Sequence, residues 1–231
     1  MKLITIHQPN YLPWPGFFHN WMIADAFIIL DTVQYHKNEW QNRNRIKSPQ
    51  GAQWLTVPVT YRFPQSIEQV GVAATPWARK QLAAIEQNYA KAPYMGEYLP
   101  ALKAVLQQPW HSLSALNVAM IRVLGDILGC DAPLLLASDL GVVSNDPTGR
   151  LIELCQALDG SAYLSGSEGR NYLQQTIFQD AGLKLYFQHV QAPSYPQLHG
   201  DFISHLSLLD LLFNCGDASR GIIHAMGGME P

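Results

Sequence analysis

Charge is what this 231-residue chain has least of: 14% of its residues are Asp, Glu, Lys or Arg, whereas soluble domains usually carry ~25%. With a formal charge of −3 and a pI near 6.2, it lacks the broad basic field that binding to a nucleic-acid backbone requires. Its three cysteines, Cys130, Cys155 and Cys215, are odd in number and widely spaced, with no CxxC or Cys/His ligand pattern. They read as unpaired thiols of a reducing compartment rather than a disulfide framework. No stretch approaches the ~20 apolar residues that span a bilayer. The apolar start is broken at His7-Gln8-Pro9 without a small-residue cleavage site, so the expected location is cytoplasmic. Eight histidines are present without i, i+4 pairing or carboxylate spacing, and no metal site is expected. GxSxG elbows and Walker loops are missing too.

Polar chemistry is concentrated in the first 47 positions. An apolar run, Leu3 to Ile6, opens into His7-Gln8-Pro9-Asn10-Tyr11-Leu12-Pro13-Trp14-Pro15-Gly16. A helix over Gly16 to Ala24, with Phe17, Trp21 and Ala24 inward, and a buried strand over Ala26 to Leu30 complete a βαβ unit. Its right-handed crossover sets the strand ends at His7 and Asp31 side by side on one sheet edge. Then come Gln34, Lys37, Trp40, Asn42, Arg43, Asn44, Arg45 and Lys47. Four of the fifteen basic residues fall within these eleven positions, 37 to 47, opposed by Glu39 alone. Such a patch suits a phosphorylated small molecule better than a duplex.

The remaining pattern predicts a hairpin (Trp40 to Lys47 and Gln53 to Val59, turning at Ser48-Pro49-Gln50-Gly51) and helices over Pro76 to Tyr89, Glu97 to Leu106 and Ser112 to Leu128. Gly129 ends the last of these. A strand from Leu134 leads to Ser138-Asp139. Further on lie a helix over Pro147 to Leu158, a strand over Ala162 to Leu164, the loop Ser165-Gly166-Ser167-Glu168-Gly169, a helix over Arg170 to Ala181, a strand over Lys184 to Gln188 and a final helix over Phe202 to Phe213. The expected fold is α/β: one domain over 1–231, with a Rossmann-like, mainly parallel sheet, helices on both faces, and a hairpin plus helical cap inserted over 40–130.

Strand ends are where open α/β sheets bind ligands. His7 and Asp31 are the candidate catalytic pair, the imidazole as acid or base and the carboxylate to orient it or an acceptor amine. Gln8, Asn10, Tyr11, Gln34, Lys37, Trp40, Asn42, Arg43, Asn44, Ser138, Asp139, Ser165, Gly166, Ser167 and Arg170 are candidates to bind substrate. Arg43 offers a planar fork for phosphate or carboxylate, and Lys37 a point charge. The Ser165 loop offers backbone N–H groups ahead of a helix. On an extended strand Asn42 and Asn44 face one side and Arg43 and Arg45 the other, so one pair alone can line a given pocket. Each group also has a plainer use, as loop anchor, turn former or solvated edge.

Several strings resemble the WbqC-like family. They are His7-Gln8-Pro9, Tyr11-Leu12-Pro13-Trp14, Asp31-x-x-Gln34, Trp40-Gln41-Asn42-Arg43-Asn44, Trp54-Leu55-Thr56-Val57-Pro58, Tyr163-Leu164-Ser165-Gly166 and Leu208 to Asn214. The resemblance implies a link to bacterial surface-polysaccharide (O-antigen) biosynthesis and to sugar modification. A more distant likeness joins the opening to HIGH-type nucleotidylyl transferases and ligases, with His7 and Gly16 matching and Phe17 replacing the second histidine. The resulting expectation is a transferase that moves an acyl or aminoacyl group onto a phosphorylated or nucleotide-linked amino sugar, with acyl-CoA as the candidate donor. An ATP-dependent adenylate-forming or nucleotidylyl enzyme and a non-catalytic sugar-nucleotide binding protein are the alternatives.

Overall fold

A computed structural model describes residues 1–231. The chain runs β1 (Leu3–His7), α1 (Pro15–Ile23), β2 (Ala26–Ile29), the hairpin β3 (Arg43–Ser48) and β4 (Gly51–Thr56), and two short strands, β5 (Val59–Thr60) and β6 (Gly71–Val72). Three helices follow, α2 (Trp77–Tyr89), α3 (Met95–Leu106) and α4 (Leu113–Leu128), before the chain returns to β7 (Leu134–Leu136). The last part is α5 (Pro147–Gln156), β8 (Ala162–Ser165), α6 (Gln175–Asp180), β9 (Lys184–Val190), α7 (Leu208–Cys215), α8 (Ala218–His224) and β10 (Gly227–Glu230).

Six strands form the central sheet in the order β10-β9-β8-β1-β2-β7, parallel except for β10. Counting only these six, the order is 6-5-4-1-2-3, that of a Rossmann sheet, and its direction of winding reverses between β1 and β8. His7 closes β1 and Ser165 closes β8, so both stand at the carboxyl edge on either side of the reversal. The inner strands read as unbroken apolar runs because both faces are covered. Phe27 and Ile29 join a core with Phe17, Phe18 and Trp21 of α1 and with α4 and α7. Ile4, Ile6, Ala26 and Ile28 join a second core with Ile152 and Cys155 of α5 and Phe178 of α6.

Local chemistry explains most element limits. Pro15 at the first position of α1 lacks the N–H that a helix start leaves unused. Ser112 caps α4 by accepting from Ala115 N at 3.2 Å, and Gly129 ends it at φ +64°. In the hairpin Ser48 pairs with Gly51, so Pro49 and Gln50 form the turn.

Three expectations change, and one strand was not expected. Trp40 to Asn42 form a turn, and β3 starts at Arg43, because the Trp40 carbonyl is taken by Tyr11 N (2.9 Å) instead of a strand partner. The helix over Arg170 to Ala181 begins only at Gln175. Residues Ser167–Asn171 coil into a 3-10 turn against Ser165, where Gly169 has no room for a Cβ (2.1 Å from Ser165 Oγ). The final helix starts at Leu208, where Ser207 Oγ accepts from Leu209 N, leaving 191–207 irregular. The strand β10 carries too little β-forming character to announce itself: its Gly227 sits at φ +151°, with a Cβ site 2.2 Å from His189 O.

Candidate functional site

A cleft of about 590 Å³ opens where the sheet order reverses. Its floor is His7 and Gln8 from the end of β1 and Tyr163 and Ser165 from β8, with Gln188 of β9. Gly166 to Gly169 and Tyr172 form one wall, and Arg150 and Leu151 of α5 another. Asn10, Trp14, Trp40, Asn44 and His205 close the remaining side. A second, larger hollow of about 770 Å³ lies between α2 and α3, lined by no residue of the central sheet, and its walls include Trp77, Leu82, Leu106 and Trp110. Size favours the second, but convergence of polar groups at a switch point favours the first.

His7 packs its ring 4.7 Å from Phe17. Loss of water around the ring pulls its pKa down from 6.5 to about 4, despite the opposing effect of a backbone contact at Gln8. The imidazole is therefore uncharged at neutral pH. Beneath the cleft, Gln188 Nε2 bonds to Gly16 O (2.8 Å) and lies 3.1 Å from His19 Nδ1, whose own pKa burial lowers. With Gln188 donating to Nδ1, the proton of His19 sits on Nε2, toward Gly227 O at 3.3 Å.

The Pro-rich loop after β1 is held by amides. Gln41 Nε2 donates to Gln8 Oε1 (2.6 Å), and Gln41 Oε1 accepts from His36 N. Asn44 Nδ2 donates to Leu12 O (2.7 Å), and Asn117 Nδ2 donates to Pro9 O and Gln41 O, both at 2.7 Å. These bonds satisfy carbonyls that no sheet or helix reaches. They also fix Leu12 at φ +46°, a conformation costly for a branched side chain.

Of the residues expected to act, the cleft brings together His7, Gln8, Asn10, Trp40, Asn44, Ser165, Gly166 and Ser167. It does not include Asp31, which is buried and accepts from Ser138 N (3.1 Å) and Ser138 Oγ (2.8 Å), tying the end of β2 to that of β7. Asp139 is exposed beside it. Tyr11 is fully buried, its hydroxyl donating to Gln81. Asn42 donates to Val57 O, and Gln34 to Tyr35 O. Lys37 is exposed in the turn before β3. Arg43 lies on the outer face of the hairpin, stacked over Trp54 at 4.2 Å. Arg170 pairs with Glu230 at 2.6 Å and covers Phe187.

Arg150, His205, Tyr172 and Gln188 enter the cleft without having been singled out as binding residues. Arg150 had a signal: the first turns of a helix that follows a parallel strand lie at the carboxyl edge of the sheet. Its Nε donates to Ser144 O (3.0 Å), and no carboxylate pairs with its guanidinium. His205 had none, since it sits in irregular chain at φ +56°, its ring 5.4 Å from Trp14.

Fold and cleft together define an α/β protein with a Rossmann strand order and a polar cleft at the switch point of its sheet. Residues 8–222 match the model of the WbqC-like protein family, and the chain belongs to that family. It is also 37% identical over 220 residues to the uncharacterized protein Rv1507c of Mycobacterium tuberculosis, covering 94% of this chain and 95% of that one. No solved structure matches. No helix is long and apolar enough to cross a membrane.

Proposed function

We propose that the switch-point cleft is the active site of a group transferase that places an acyl or aminoacyl group on a phosphorylated or nucleotide-linked amino sugar. The observation that carries this reading is Arg150: a guanidinium without a carboxylate partner, on the wall of a cleft whose floor holds an uncharged imidazole. A free guanidinium fork takes a phosphate through paired N–H bonds. Gln8 and Asn10 offer amides for sugar hydroxyls, and Trp14 a ring face. Neutral His7 is in the form that accepts a proton. As the amine nitrogen of the sugar attacks the acyl carbon of a thioester donor, the N–C bond forms, the C–S bond breaks, and the proton leaving nitrogen passes to the imidazole. Asp31 acts at one remove, by fixing the β2 and β7 ends through Ser138.

Thermal denaturation in the presence of amino-sugar phosphates, nucleotide sugars, acetyl-CoA and magnesium ATP tests this. A ligand at 100 times its Kd adds about 2.7 kcal/mol to stability. The expected result is stabilisation by an amino-sugar phosphate or nucleotide sugar that Arg150→Gln weakens by roughly 10- to 100-fold, the worth of a charge-assisted hydrogen bond. Unchanged affinity in Arg150→Gln refutes the reading. Stabilisation by magnesium ATP alone replaces it with adenylate chemistry.

A further inference from the structure

The outer face of the β3–β4 hairpin carries groups that the cleft does not use. Antiparallel register sets Arg45 opposite Trp54 and Arg43 opposite Thr56, so Arg43, Arg45 and Trp54 project from one face. Trp40, from the turn before β3, leans onto that face with its ring centroid 5.6 Å from that of Trp54 and the planes 35° apart. The Arg43 guanidinium lies 4.2 Å over Trp54; that of Arg45 lies 5.6 Å from Trp54 and 5.8 Å from Trp40. Neither arginine forms an ion pair, and the Nε of each is buried without a partner. Yet the two indoles are 42% and 43% exposed.

A hairpin that needs only protection from edge pairing gets it from isolated charges, and two half-exposed tryptophans work against solubility. What the arrangement does offer is two guanidinium forks held in place by stacking before any ligand arrives, beside a broad aromatic surface. Pre-ordered cations lose little freedom on binding. We propose that this face is a subsite for a nucleoside diphosphate: the base stacks on the Trp40–Trp54 pair, and Arg43 and Arg45 each take a phosphate through paired N–H bonds. Two cations match two phosphates, whereas a long polyanion meets a chain of net charge −3. Trp40 also forms part of the cleft wall, so whatever is attached to the second phosphate has a path from the platform into the cleft. That last step rests on the cleft being the active site; the subsite itself does not.

Calorimetric titration of the full chain with UDP, ADP and GDP, with uridine, and with glucosamine 1-phosphate separates the two. The nucleoside diphosphates are expected to bind, and Trp54→Ala to weaken them roughly tenfold or more, as loss of a stacked base does. Trp54→Phe should restore most of that loss. Arg43→Gln should weaken UDP while leaving uridine unchanged, and both variants should leave glucosamine 1-phosphate untouched. The subsite is overturned if none of the three diphosphates binds, if Trp54→Ala binds them normally, or if it weakens the sugar phosphate equally. Loss of UDP in Arg150→Gln with retention in Trp54→Ala overturns the platform and leaves the cleft reading standing. A sugar phosphate that never binds, with UDP still dependent on Trp54, does the reverse.

Discussion

His7 shows how much a single ring can depend on its packing. Because its folded pKa, about 4, lies below the ordinary 6.5, the unfolded chain binds the extra proton first as pH falls. Its contribution to stability is complete above pH 6.5 and is lost as pH falls from there toward 4, a change of at most about 3 kcal/mol. Asp210, whose pKa burial raises, acts in the opposite sense, and His19 in the same sense. Both are common to a His7→Gln variant, so the difference between the two proteins isolates His7. Urea denaturation at pH 7 and pH 4.5 should show the variant losing less stability on acidification than the parent; equal losses would show that the ring is hydrated. His7 was legible because it ends an apolar strand. Asn42, Asn44 and Asn117 were not legible in their present use, since an amide that satisfies a loop carbonyl and one that meets a ligand look identical in sequence.

Among the elements, those with chemistry at their ends were the most readable. Both limits of α4 follow from Ser112 and Gly129, and each limit can be tested singly. Ser112→Ala should cost about 1 kcal/mol by removing the cap. Gly129→Ala should cost about as much or more, because it forces Ala to φ +64° and places its Cβ 2.0 Å from the Arg220 guanidinium. The two ends lie about 24 Å apart along 16 residues, far enough for the losses to add in the double variant. Denaturant midpoints would check this, and a marked departure from additivity would mean that α4 responds as a whole to either end. The segment 167–181 was harder to read. A glycine-rich loop followed by polar residues fits a helix start, but the collision between a Cβ at residue 169 and Ser165 is a tertiary fact.

At the scale of the molecule, distant segments share the walls of one cleft. Lys47, fully buried at the end of the hairpin, donates through Nζ to Gln197 Oε1 (3.0 Å), Gly200 O (3.4 Å) and Asp201 O (2.5 Å). Ser207 N donates to Arg45 O. The hairpin thereby holds the irregular stretch that carries His205 to the cleft. Asp210 nearby is held by the hydroxyls of Tyr89 and Tyr195. Replacing Lys47 by Met keeps the volume but removes all three donors, leaving two backbone carbonyls and an amide oxygen to find water. Limited proteolysis should then cut within residues 191–206 faster than in the parent; an unchanged pattern would mean that the stretch is anchored without the ammonium. None of this was readable from the chain, where Lys47 looked like one more member of a basic patch.

The strand that begins the protein must wait for its second neighbour. β1 pairs with β2 within thirty residues, but its other edge stays open until β8, where Leu3 meets Ala162 and Thr5 Oγ1 reaches Leu164 O. On a ribosome, therefore, a nascent chain that has not yet released Ala162 holds His7 and the Pro-rich loop yet has no cleft, and nothing that binds there can assist folding before β8 and β9 emerge.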